Sequence, residues 1–181
     1  MPIRSFHQLK YEATWYGPQT VAIAMAANAE VLAAAREAQS LGMARCVLLD
    51  DKNKLSRLAD AHAIDISDMP LVDIADHEAA ARMAMHMARA GEAHVVMKGA
   101  LETAYFLRAA LEREGGVRMG RLLSHVGVFE IPGFGRLLSV TDGGVNIAPD
   151  IYQKIEIVQN AIDVAHKLGI QEPRVAILAA S

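Results

Sequence analysis

Residues 95–108 read VVMKGALETAYFLR. The segment from His94 to Met97 has the length and apolar content of a short buried strand, Lys98-Gly99 makes a tight turn, and a helix is expected from about Leu101. Strand, turn and helix in this order form half of a βαβ unit, which sets the expectation of an α/β protein. The turn brings a cation, a glycine and a helix N-terminus together. The first N–H groups of a helix lack intrahelical acceptors and carry partial positive charge, so such a corner suits an anion, phosphate above all. Arg108 follows Thr103 by five residues, about 140° around a helix, so the two need not face one ligand.

The same rhythm runs upstream. Thr20 to Met25 (TVAIAM) is a continuous apolar run of strand length, as in a parallel strand covered on both faces. Asn28 caps an expected helix from Ala29 to Ser40 that stops near Gly42. Arg45 to Leu49 is a second strand, with Asp50 and Asp51 at its carboxyl end to start a helix over Lys52 to His62. Pro70 to Ile74 is a weaker third strand, and Asp76 caps a helix from His77 to Ala90. This βαβαβαβ order predicts a mainly parallel sheet with right-handed crossovers and helices on both faces.

Downstream of a helix ending near Glu114 the pattern changes. Ser124 to Glu130 and Arg136 to Val140 read as strands joined by Ile131-Pro-Gly-Phe-Gly135, an antiparallel hairpin. Thr141 to Pro149 is a polar, glycine-containing loop. Asp150 caps a helix whose Ile151, Ile155, Val158, Ile162 and Ala165 fall on one face, ending at Gly169. Arg174 to Ala179 reads as a last strand, an unusual place for a chain to stop: either it pairs within this sheet or the chain is the front part of a larger fold. The expected division is an N-terminal arm over 1–18, broken by Gly17-Pro18 and without helical spacing, an α/β domain over 19–149, and a helix and strand over 150–181 that begin a second lobe.

Composition narrows the function. The 181 residues are 52% hydrophobic with a net charge of −3, so no basic field argues for nucleic acid. No apolar run reaches the roughly 18 residues that span a bilayer, and the first residues lack the apolar core of a signal peptide. The single cysteine, Cys46, lies in an apolar run and reads as a buried structural thiol, with the cytoplasm as the default compartment. No two histidines have metal-site HxH or HxxxH spacing. The Rossmann, Walker and Gly-x-Ser-x-Gly patterns are all missing. What remains is a set of loops: Lys98 and Gly99 after one strand, Asp142 to Asn146 after another, and Arg118, Arg121, Ser124 and His125 between them. Each cation alone is most simply a solvated surface residue, but together they point to an anionic ligand.

These residues carry a resemblance. MKGALETAYFLR, GRLLSHVGVFEIPGFGRLL, TDGGVNIAPD, the helix Tyr152 to Leu168 and EPRVAIL occur in order, preceded by EVLAAAREAQSLGMARCVLLDD. They resemble the amino-terminal half of the phosphate acetyl/butyryl transferases, most of all the phosphate butyryltransferase branch. The resemblance implies a three-layer α/β/α fold of the isopropylmalate-dehydrogenase type, with two lobes around a cleft and the second lobe largely missing here. It implies reversible transfer of an acyl group between coenzyme A and phosphate, with coenzyme A as a substrate, no permanently bound cofactor, no metal, and a homodimer. By the same resemblance Lys98, Gly99, Thr103 and Arg108 would meet phosphate or acyl phosphate, Arg108 matching the family arginine of this helix. Arg121, Ser124 and Arg136 would add donors, and Asp142 and Asn146 match the family's TDxxxN loop. The family's second half brings much of the coenzyme A site, a Ser-Arg pair and the aspartate taken to deprotonate the thiol. Ser56-Arg57 lies in an early helix and is not that pair, so no catalytic residue is assigned here. Two other readings stand beside this one: a non-catalytic module that binds phosphate or acyl phosphate, or that pairs with a separate second lobe, and, more distantly, a dehydrogenase on the same fold.

Overall fold

Four strands, β1 (Gln19–Ala24), β2 (Ala44–Asp50), β3 (Leu71–Asp73) and β4 (Val95–Lys98), form one sheet in the order β3-β2-β1-β4. All three pairings are parallel. The computed structural model in which they are seen describes residues 1–178. Each strand is followed by a helix: α2 (Ala29–Ser40), α3 (Lys52–Ala61), α4 (His77–Arg89) and α5 (Thr103–Leu111). Local chemistry sets where three of them start. Asn28, Asp51 and Asp76 each accept a hydrogen bond from the backbone N–H three residues on, a cap worth about 1 kcal/mol.

Side chains along a strand alternate between faces, and the core divides accordingly. Ala22, Ala24 and Leu49 pack with Ala80, Ala84 and Met85 of α4 and Ala109 and Ala110 of α5. Ile23, Cys46 and Leu48 pack on the other face with Leu32 and Ala35 of α2 and Leu55 and Ala59 of α3. The predicted α/β class and helix-covered parallel sheet are therefore observed. Cys46 is a core residue, its Sγ 3.8 Å from the Ala35 carbonyl oxygen. Burial pushes its thiol up, which leaves it protonated and inert.

Three expectations for this region need correction. Residues 94–97 were expected to form a buried strand, but β4 is an edge strand with Val95 47% exposed. An apolar run of four residues does not distinguish an edge from a centre. The helix after it spans Thr103–Leu111 rather than starting at Leu101 and reaching Glu114. Leu101 is instead buried just ahead of the helix. The segment before Gly17 is not devoid of structure either, since α1 occupies Phe6–Trp15. No residue of α1 is buried, so helical spacing could not reveal it. Its start is fixed by Ser5, whose Oγ accepts from the Gln8 N–H at 3.1 Å and whose carbonyl accepts from the Leu9 N–H.

Residues Glu12–Met119 form one compact unit, and Met1–Tyr11 with the chain from Gly120 onward form another. The second unit holds the antiparallel hairpin of β5 (Gly127–Glu130) and β6 (Leu137–Val140), and α6 (Ile151–Lys167). Asp150 opens α6 with a full capping box, closed by Gln153. The expected apolar face of α6 is only partly used. Of that face Ala165 is buried and Val158 and Ile162 are half-buried, while Ile151 and Ile155 are exposed; Ile157, outside the expected face, is buried. The amino-terminal chain adds to the far end of this helix, with the Ile3 N–H donating to the Leu168 carbonyl at 2.9 Å.

β5 is shorter than the predicted Ser124–Glu130: Ser124 bonds to Asn160 of α6, and His125 to Asp142 and Thr141 of the loop after β6. The expected strand from Arg174 is not formed over residues 174–178, and Ala179 lies outside the described residues. A strand requires a ladder partner, and Val175, Ile177 and Leu178 are exposed instead.

Candidate functional site

In a parallel sheet the strand ends that face ligands are the carboxyl ends. Here the register aligns Ala24 with both Leu49 and Lys98, and Asp50 with Asp73. Directly after β1, Met25 takes a left-handed backbone with φ 56°. Its N–H donates to the Leu49 carbonyl and its carbonyl accepts from the Ala100 N–H at 2.7 Å. The turn after β4 thus lies against the end of β1. Gly99 is required there, because a Cβ at that position would sit 2.9 Å from the Met25 carbonyl carbon and closer still to its oxygen. That steric reason for Gly99 is independent of any ligand.

Asp50 is fully buried at the end of β2. Its Oδ2 accepts from the Ala27 N–H and its Oδ1 from the Asp51 N–H, both at 2.8 Å. Asp73 on the next strand accepts from the Lys52 N–H at 3.0 Å. Carboxylates therefore fasten the loops after β1 and β2 to the strand ends. The sequence suggests Asp50 only as a helix starter, and its cross-link to Ala27 had no local signal.

The predicted corner contains Lys98, Gly99 and Thr103. Lys98 Nζ donates to the Leu101 carbonyl at 3.0 Å, which holds the ammonium over the turn. Thr103 is the first residue of α5, and the N-cap residue Glu102 makes no side-chain cap bond. Arg108 belongs to the opposite end of α5, in its last turn. Its guanidinium lies 3.3 Å from Glu78 Oε1 of α4 and 5.7 Å from the Tyr105 ring centroid. Glu78 also pairs with Arg82 at 3.4 Å. The pairing of Arg108 to Glu78 was not foreseen, because nothing in the sequence specifies which turns of α4 and α5 meet. Exposed pairs of this kind contribute about 0–1 kcal/mol, so an oxyanion with better geometry can displace the carboxylate.

The other five candidates lie in the second unit, and four of them converge on residues 121–125. Arg121 pairs with Asp163 of α6 at 2.9 Å. Ser124 Oγ accepts from the Asn160 amide at 2.8 Å, and the same amide donates to the Leu122 carbonyl at 2.9 Å. From the other side, Asp142 Oδ1 accepts from the His125 N–H at 3.0 Å, and Thr141 Oγ1 donates to the His125 carbonyl at 2.7 Å. The Asn146 amide donates to the Leu123 carbonyl and to Asp142 Oδ2, which also accepts from the Asn146 N–H. Arg136 stands apart, stacked 4.8 Å from the Phe134 ring centroid. Asn160 and Asp163 were missed in the sequence. An amide side chain in a helix interior is a poor helix former, and that is the signal that could have singled out Asn160.

Asp142 has two opposed influences on its charge. Partial burial pushes its carboxyl up, but the Asn146 amide and the backbone N–H groups of His125, Asn146 and Val145 outweigh it and hold the group below the usual carboxylate range. A carboxyl depressed on folding adds stability above its unfolded value near ~3.9 and loses it as pH falls through the lower folded value. In an acid titration followed by NMR, the His125 and Asn146 amide signals should hold position down to about pH 4 and shift only below it. A midpoint above that value would contradict the bonding described. Among the described residues, no group of three or more His, Cys, Asp or Glu side chains is placed to hold a metal ion, and no helix is long and apolar enough to cross a membrane.

Known proteins resemble this chain in sequence and in fold. The family model described as Phosphate acetyl/butaryl transferase matches residues 77–181. The phosphate butyryltransferase of Clostridium acetobutylicum is 38% identical over 178 residues, which is 98% of this chain and 59% of that protein. That of Clostridium beijerinckii is 38% identical over 173 residues, 96% of this chain and 57% of its own length. Among solved structures, the branched-chain phosphotransacylase from Enterococcus faecalis V583 superposes with a TM-score of 0.73 at 29% identity, covering 90% of this chain and 56% of that one. The chain thus spans somewhat more than half the length of the relatives it matches. With four parallel strands, a helix after each of them and a family model matched over residues 77–181, the chain belongs to the phosphate acetyl/butyryl transferase family.

Proposed function

We propose that the protein serves reversible acyl transfer between coenzyme A and phosphate, with acetyl, butyryl or branched short acyl groups as cargo. The observation that carries this reading is the 38% identity to a phosphate butyryltransferase maintained over 98% of the chain. In the forward direction a phosphate oxygen attacks the thioester carbonyl, the carbon–sulfur bond breaks, and the thiolate leaves and takes up a proton. In reverse, the coenzyme A thiolate attacks acyl phosphate. A thiol near pKa ~8.5 needs a base for that step, and none is assigned among these residues. What this chain offers is donors: the turn at Gly99, Lys98, Thr103 and Arg108 for a phosphoryl group, and Ser124 with the Asp142–Asn146 loop in the other unit. Coenzyme A enters as a substrate, and the reading includes a homodimer and a cytoplasmic setting, the latter in keeping with a single buried thiol.

A second reading follows from the 59% span of the relative's length. On it, the chain binds phosphate or acyl phosphate without turning it over, alone or beside a separate second lobe. One pair of measurements separates the two. Butyryl-CoA with phosphate should release free thiol, detected by a thiol reagent, if the first holds. Phosphate binding by titration calorimetry without thiol release favours the second. Neither signal would remove both.

Arg108→Ala tests the corner. Loss of a charge-assisted contact to phosphate should raise the phosphate KM or Kd about tenfold. The exposed Glu78 pair is weak, so the melting temperature should barely move. Unchanged phosphate affinity would make Arg108 a surface residue.

A further inference from the structure

Asn160 occupies the middle of α6, and its side-chain amide faces residues 122–124. The orientation of that amide is fixed by chemistry. The Leu122 carbonyl can only accept, so the group 2.9 Å from it must be Nδ2. The same nitrogen lies 2.8 Å from Ser124 Oγ. Ser124 therefore receives a proton there instead of giving one. A hydroxyl has a single hydrogen and two lone pairs. With one lone pair committed to Asn160, the hydrogen must point elsewhere, and it meets no acceptor among the described residues. Ser124 is half-buried, so the hydroxyl is held but accessible.

The backbone around Ser124 is equally fixed. The Leu122 and Leu123 carbonyls are taken by Asn160 and Asn146, and the His125 N–H and carbonyl by Asp142 and Thr141. The residue carrying the hydroxyl cannot rotate away without breaking bonds on both sides. A prearranged donor whose partner is missing from the protein matches a ligand that presents only acceptors, such as a phosphoryl oxygen.

We infer that Asn160 is a positioning residue: it commits the Ser124 hydroxyl to donating, and so prepares it for an oxyanion of the phosphate or acyl phosphate. This rests on the proposed phosphate chemistry, to which it adds a residue and a direction of bonding. Asn160 itself touches no reacting atom.

Asn160→Asp is the test, because it keeps shape and reverses polarity. A carboxylate only accepts, so Ser124 would turn its hydrogen inward and lose it for the ligand. Phosphate affinity should be measured by titration calorimetry on the 181-residue protein, for the parent, Asn160→Asp, Ser124→Ala and the double variant, with a melting curve for each. Each single change should raise the phosphate Kd about tenfold, and the double variant should be no weaker than the worse single one, because both remove the same hydrogen bond. If turnover is present, the loss should fall on the phosphate KM more than on kcat. Factors that multiply in the double variant, or an Asn160→Asp protein that loses melting temperature but keeps its Kd, would overturn the inference. Should Asn160→Asp fail to fold, Ser124→Ala decides alone, and an unchanged Kd refutes it. Phosphate binding without acyl transfer would count against the proposed function and leave this inference standing. No phosphate binding by the folded parent protein would end both.

Discussion

Gly99→Ala should destabilise the unit Glu12–Met119 by about 3 kcal/mol, with a melting temperature lower by roughly 10 °C. The added methyl meets the backbone of Met25, which cannot swing aside as a side-chain tip would. Met25 is held from both directions. Its N–H is bonded to Leu49 and its carbonyl to Ala100, and its own side chain is buried. Relief must therefore come from parting the β4 turn from the end of β1, which also moves Lys98 and the start of α5. Gly91→Ala is the control. Gly91 also has positive φ, 76°, but a Cβ there would have no heavy atom within 4 Å, so only the backbone cost of about 1–2 kcal/mol applies. Denaturant midpoints that fall equally in the two variants would show that the close approach at Met25 has no energetic weight.

Asp50→Ala should cost a similar amount, about 3 kcal/mol, through a different mechanism. The substitution removes the acceptor of one buried N–H group, that of Ala27, and of the part-buried Asp51 N–H, and a buried unsatisfied donor costs about 1–3 kcal/mol. Because Asp50 has no exposed surface, water cannot readily replace it. Asp50→Asn should fall between, since one amide oxygen can still accept while the NH2 group faces an N–H. Urea unfolding gives the order of the three proteins, and hydrogen exchange at the Ala27 amide should quicken in both variants. A wild-type midpoint for Asp50→Ala would mean that the carboxylate is dispensable.

The sheet and its helices were readable because their signals are local. Asn28, Asp51 and Asp76 announce helices by capping them, and the apolar runs of β1 and β2 have one sensible length. Signals failed where a neighbour decides the outcome. The exposure of β4 depends on its place in the strand order, and Ser124 and His125 look like strand residues until their partners in α6 and in the loop after β6 are known. Ser5 did announce α1, but a cap without an apolar stripe is easily passed over. The same contrast holds for the candidate residues. The pairing of Asp142 with Asn146 has a short-range cause, whereas the reason for Gly99 lies at Met25, at the end of another strand. The partners of Arg108, Arg121 and Ser124 lie 30, 42 and 36 residues away, and no spacing rule reaches that far.

Residues 122–125 have a consequence for how such a protein can change over generations. A strand is held by backbone groups that every residue carries, so substitution leaves its bonding largely intact. This segment is held instead by the side chains of Asn160, Asn146, Asp142 and Thr141. Three of those anchors lie in the loop after β6 and one, Asn160, in α6, and each can be replaced singly while the four-stranded sheet belongs to other residues. The bonding along 122–125 is therefore open to selection one codon at a time, without first dismantling the sheet.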